Sequence, residues 1–165
     1  MFSSILAAVP IMALLTIFQT VILPRFSPFE ANPSLPFLVA LALSLLSNSE
    51  EGVIWAFIGG LFMDIFTIAP AGGLSLSYVA GVFVASTMID LLPPNRLLIA
   101  VISAVVATII QQLVYLVYLR IFGIPVNANP LIFVQVILMQ AILILPIYWL
   151  ISLIKRLMRP RPVQI

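Results

Sequence analysis

Few side chains in this sequence could do chemistry, and Asp64 is the first to weigh. It closes the run Gly59-Gly60-Leu61-Phe62-Met63-Asp64 in an otherwise apolar stretch. An ionisable group within a spanning segment is unfavourable, so function is its default reading. The competing reading puts Asp64 at the segment's end, beside the breaker-rich loop Ala69-Pro70-Ala71-Gly72-Gly73, where a carboxylate caps a helix or reaches the interface. Both stand on the residues alone. A proton or cation relay would want a second buried acid or a histidine. The other acids, Glu30, Glu50, Glu51 and Asp90, all fall near segment ends, so no relay emerges.

Five amides, Gln19, Gln111, Gln112, Gln135 and Gln140, fall within or beside apolar runs. Each wants a hydrogen-bond partner away from lipid. Such bonds average about 0.6 kcal/mol, so they specify contacts more than they stabilise. The same amides could instead line a substrate cavity. Small residues recur at four-residue spacing: Ala56 and Gly60; Ser77, Gly81 and Ala85; Ala100, Ala104 and Thr108. Stripes of this kind let helix backbones approach closely in lipid, either within one chain or against a partner helix. Gln19, Ala56, Gly59, Gly60, Asp64, Ser77, Gly81, Ala85, Ala100 and Ala104 are therefore the candidate helix-packing or partner-interface residues.

Catalysis has little to draw on. The chain has no histidine and no cysteine, which removes the commonest general base, the commonest metal ligand and any disulfide. No serine or lysine stands with a recognisable base, and no glycine-rich phosphate loop is present. The only lysine is Lys155, near the C-terminus. The expectation is a protein without enzymatic activity, cofactor or metal.

The elements that must hold these residues are apolar helices. Of 165 residues, 64% are hydrophobic and 7% charged, against roughly 45–50% and about 25% in a soluble domain. The mean hydropathy is +1.30. The apolar runs are continuous, not alternating, which favours spanning helices over a membrane barrel. Six spans are expected, at about 4–23, 34–47, 52–66, 74–92, 97–122 and 131–154. The first has no positive n-region and is too long for the apolar core of a signal peptide, so it reads as a retained helix. The second and third are short for a crossing. Local thinning, a shielded position or a hairpin dipping part-way in would accommodate them. Pro146 should kink the sixth unless a neighbour satisfies the freed carbonyl. Asp90 and Arg96 bracket a Leu-Leu-Pro-Pro turn and read as a surface pair. One domain, 1–154, is expected, followed by a basic tail, 155–165.

Orientation follows from the cations. With six spans, Arg96, Lys155, Arg156, Arg159 and Arg161 share a side, and Arg25 and Arg120 face the other. Both termini are thus expected in the cytoplasm, with the turn Ser47 to Glu51 beside them. The tail's cations suit anionic headgroups at about 1 kcal/mol each. The net charge of +2, concentrated there, reads as a topology signal and not as a nucleic-acid footprint.

One ordered set of residues resembles a known family. Gln19 ends the first span and a proline-rich loop follows. Asn32-Pro33-Ser34-Leu35 opens the second span. After a polar turn come Gly52, Gly59-Gly60-Leu61 with Asp64, and Gly72-Gly73-Leu74. This order resembles the rod-shape-determining protein MreD family, with the motifs confined to about Gln19 to Gly81. Ser34 stands where the family usually has aspartate; if that residue caps the second helix, serine can do the same.

The resemblance implies an all-α membrane protein, a six-transmembrane-helix bundle similar to the substrate-binding S-components of ECF transporters. It implies a non-enzymatic scaffold subunit of the bacterial cell-elongation complex, in the inner membrane, supporting cell shape and peptidoglycan synthesis. The implied partners are MreC, the elongation transpeptidase with its SEDS-type glycosyltransferase, and the actin-like MreB, beside membrane lipids. A homo-oligomer is also compatible. The alternative is a small-molecule, vitamin-like binding subunit of a membrane transporter, motivated by the embedded glutamines and Asp64.

Overall fold

A computed structural model of the chain describes residues 2–22, 33–88, 95–125 and 129–158. Its regular structure is all helical, and no strand occurs among the described residues. α1 is Phe2–Ile17, continued by a π-helical turn over Phe18–Ile22. α2 is Leu35–Leu46, α3 is Ser49–Ile65, α4 is Gly73–Thr87, α5 is Arg96–Ile121 and α6 is Pro130–Met158.

The boundaries depart from the sequence expectation in three places: α4 stops at Thr87, short of the expected 92, and the other two departures have an electrostatic reason. α3 starts before Gly52, because Ser49, Glu50 and Glu51 form its first turn. Carboxylates are favourable there, beside the unsatisfied N–H groups and the positive end of the helix dipole. The polar turn therefore shrinks to Ser47 and Asn48. α6 runs through Pro146 to Met158, with Lys155 and Arg156 in its last turn, where cations complement the negative end. The division at 154 and 155 thus falls inside a helix. Arg25, Glu30, Asp90, Arg159 and Arg161 lie outside the described residues, and with them the Asp90–Arg96 pair.

Close approaches fix the directions of the helices. A Cβ built on Gly52 would meet Ser44, and one on Gly59 would lie 3.2 Å from Pro36 Cβ, so α2 and α3 run antiparallel. Gly60 abuts the backbone of Ser75, and Gly72 bonds Asp64, which makes α3 and α4 antiparallel. Gly73 meets Tyr118, and Gly81 meets Ala107, which does the same for α4 and α5. Gln19 bonds Leu35, setting α1 against α2. The helices run up and down. One end of the bundle gathers Gln19, Ser34, Asp64, Gly72, Tyr118 and the start of α6. The other gathers Glu50, Glu51, Thr87, the start of α5 and Lys155.

α2 occupies the middle. Phe37, Leu38, Ala40, Leu41 and Ala42 are fully buried, and α2 touches each of the other helices. A helix apolar all round is stable only when enclosed, so its 12 residues are shielded by longer neighbours. Phe37 stacks on Tyr78 of α4, with ring centroids 5.1 Å apart and planes tilted by 53°.

Two helices, over Leu97–Ile121 and Pro130–Leu157, are long and apolar enough to cross a membrane, by length and composition. The other four are too short to meet that measure alone, which limits what length supports to two spans of the six expected. In α6 only 11% of the most apolar window is buried inside the bundle. A core helix of a water-soluble protein would be mostly enclosed. Here Leu138, Ile142, Trp149 and Leu157 of α6, and Leu6 and Leu14 of α1, face outward.

Candidate functional site

Asp64 is 6% exposed. It reaches from the end of α3 to the start of α4, whose first residues are Gly73, Leu74 and Ser75. Gly72 precedes them with φ +101°, a conformation that glycine takes without steric cost. Glycine has no side chain to cap the helix, so the first N–H groups of α4 turn to Asp64. Gly72 N and Leu74 N donate to its two carboxylate oxygens at 2.9 Å each, and Ser75 N donates at 3.2 Å. The Ser75 hydroxyl adds a fourth bond at 2.6 Å. Of the two readings open for Asp64, the geometry realises the capping one, supplied from a neighbouring helix. A carboxylate at a helix N-terminus also meets the positive end of the dipole.

The approach that permits this cap is set by glycine. Gly60 lies one turn before Asp64, and a Cβ there would run into the Ser75 backbone. On the far side of the loop, the Tyr118 hydroxyl donates to the carbonyls of Ala71 at 3.1 Å and Pro70 at 3.4 Å. α3, the loop, α4 and α5 are thereby tied at one end of the bundle.

Gln19 performs the same operation one helix pair earlier. It lies on the π-helical turn, is 5% exposed, and its Oε1 accepts from Leu35 N at 2.6 Å. Ser34, which could cap α2 if the family's aspartate does so, is not used that way. Ser34 occupies the N-cap position without a side-chain capping bond. Its hydroxyl oxygen accepts from the Tyr78 hydroxyl at 2.8 Å instead.

The remaining candidates are buried between helices of this chain. Ala56, Ala85, Ala100 and Ala104 belong to the core. The Ser77 hydroxyl bonds back to the Leu74 carbonyl at 2.9 Å. Gly59 packs on Met12 and Pro36, and Gly81 on Ala107 and Phe37. Thr108, at the end of the α5 stripe, donates across to Gln140 Oε1 of α6 at 2.7 Å. The structure thus brings Gln19, Gly59, Gly60 and Asp64 to one half of the bundle, and spreads the alanines along its core.

Tyr78 and Tyr118 escaped the sequence reading. Each has a polar tip on a large apolar body, and such residues usually find a partner when buried. That rule was the available signal, but it named no partner: Ser34 is 44 positions from Tyr78, and Ala71 is 47 from Tyr118.

Ser34, Gln111, Gln112 and Gln140 come together around a cavity of about 300 Å³, completed by Tyr115, Leu116, Leu119, Ile132, Phe133 and Val136. Among the described residues, no group of three or more His, Cys, Asp or Glu is placed to hold a metal ion. Comparison with protein-family models, with curated proteins and with solved structures found no match.

Proposed function

We propose that the chain is a multi-pass scaffold of a bacterial inner membrane, with six spans and both termini cytoplasmic, related to the MreD family and docking MreC. The supporting observation is how Gln19 and Asp64 are used. These are two of the polar residues of the motif, and each holds the first turn of another helix in the same chain. A carboxylate with four donors around it is committed to architecture. The product of that architecture is a bundle with an outward surface of leucine, isoleucine, valine and aromatic side chains, suited to lipid and to a partner's single spanning helix.

In this reading α2 and α4 cross as short helices, covered on their flanks by α5 and α6, with the bilayer thinned locally. The end carrying Glu50, Glu51, Lys155 and Arg156 is cytoplasmic, and the end carrying Asp64 and Gly72 faces the periplasm. The elongation transpeptidase, its SEDS-type glycosyltransferase and MreB join through the assembled complex, in the service of cell shape and peptidoglycan synthesis.

The test is co-expression of the tagged full chain with MreC, followed by purification in mild detergent. Recovery of MreC with the tagged chain, resistant to moderate salt, is expected. Loss of MreC during washing, while the bundle keeps its cooperative melting, overturns the docking role. Gly60 and Gly81 are unsuitable probes for that surface, because both are covered by α4 or α5 of the chain itself.

A further inference from the structure

The cavity beside α5 holds two buried polar atoms with nothing to bond. Gln111 is 7% exposed and its Oε1 has no donor; Gln112 Nε2 has no acceptor. Both residues line the cavity, at the end of the bundle where α2 and α6 begin. An orphaned buried polar group costs about 1–3 kcal/mol, so two neighbouring ones mark a place where a ligand would gain what the protein forgoes.

The surrounding groups restrict which ligand fits. Gln140 Oε1 is occupied by Thr108, at 2.7 Å. Ser34 Oγ accepts from Tyr78 at 2.8 Å and keeps its own proton to donate. The lining therefore offers one fully buried unpaired acceptor and one fully buried unpaired donor, with the Ser34 proton, the other amide atoms of the glutamines and the Tyr115 hydroxyl around them. No charged residue is among the lining residues, while Leu116, Leu119, Phe133 and Val136 supply apolar walls. A volume of about 300 Å³ lies at the lower end of the range for small-molecule sites.

We infer that this cavity binds a small, flat, neutral molecule bearing a primary amide or lactam. That group carries a donor and an acceptor on one edge, the complement of the Gln111 acceptor and the Gln112 donor. Its ring or short chain lies against the apolar walls. A carboxylate of the same shape finds no counter-charge, and a hydrocarbon leaves both amides unpaired, the situation in which hydrogen-bonding sites discriminate most strongly. The site stands independently of any docking to MreC.

The experiment uses the full chain in lipid nanodiscs and titrates benzamide, benzoate and toluene by ligand-observed NMR, up to about 10 mM. Saturable benzamide binding is expected, with benzoate and toluene at least tenfold weaker. Gln111→Leu should weaken benzamide at least tenfold while its melting temperature stays equal or rises, since it removes an orphaned atom. Val136→Trp, which puts a bulky side chain into the cavity and leaves the amides in the sequence, should abolish binding. Absence of saturable benzamide binding to the unaltered chain overturns the inference. So does unchanged affinity in either variant. Toluene binding as tightly as benzamide also overturns it, and identifies an apolar crevice suited to an acyl chain.

Discussion

The Ser75 hydroxyl donates to Oδ2 of Asp64 over 2.6 Å, and with the amides of Gly72, Leu74 and Ser75 it leaves the carboxylate fully engaged. Asp64→Ala strands these donors in a buried corner. At about 1–3 kcal/mol for each orphaned group, the variant should lose on the order of 3–6 kcal/mol and melt well below the unaltered chain in detergent. Asp64→Asn keeps one acceptor oxygen and the side chain's shape, so its loss should be smaller, about 1–2 kcal/mol. Equal melting temperatures for Asp64→Ala and the unaltered chain would remove the cap from any account of stability.

Gln19 and Leu35 offer a milder version of the same experiment. One amide oxygen meets one backbone N–H at 2.6 Å. Gln19→Leu should cost about 1–2 kcal/mol, the usual range for a lost cap. Gln19→Glu keeps an acceptor in place and adds charge at a helix N-terminus, where it is favourable. Melting of the two variants side by side should rank glutamate above leucine; the reverse order would mean that desolvating the charge outweighs the cap.

These two caps also mark where the sequence was legible and where it was not. α5 and α6 follow Asn95 and Asn129, whose side chains accept from Leu97 N at 3.3 Å and Leu131 N at 3.1 Å. Those starts lie within a few residues and can be read locally. α2 and α4 begin without a side-chain cap of their own: Ser34 is engaged by Tyr78, and Gly72 has no side chain. Their caps come from 16 and 10 positions away, a separation that no local pattern encodes. The long apolar runs made six helices readable, and the breaker-rich loop placed Asp64 near a helix end. The cavity was out of reach, because Ser34, Gln111 and Gln140 meet only after α2, α5 and α6 have packed.

Gly81 should tolerate less than its position on a membrane helix suggests. A Cβ there would sit 2.6 Å from the Ala107 carbonyl oxygen and 3.1 Å from the Phe37 ring. The carbonyl is backbone and cannot rotate away. Gly81→Ala should cost about 1–3 kcal/mol through overpacking, and Gly81→Leu should keep α4 from seating on α5, with loss of cooperative melting. Leu138→Trp, on the outward face of α6 where the native side chain is 58% exposed, is the control and should melt as the unaltered chain does. If Gly81→Leu melted like that control, α4 and α5 would not be packed as the structure has them.

The proposed topology places Glu50 and Ile68 on opposite sides of the membrane, one at each end of α3. The absence of cysteine makes the test direct, since one introduced thiol is the only thiol. Glu50 is exposed in the first turn of α3, and Ile68 is fully exposed in the loop before α4. In spheroplasts, a membrane-impermeant maleimide should label Ile68→Cys and leave Glu50→Cys unlabelled until the membrane is permeabilised. A hairpin of α2 and α3 that dips part-way in would hold Glu50 at its membrane-buried tip, so Glu50→Cys would stay unlabelled even after permeabilisation. The opposite pattern, with Glu50→Cys alone labelled, would invert the chain and put Lys155 and Arg156 outside, against the preference of cations for the cytoplasmic side.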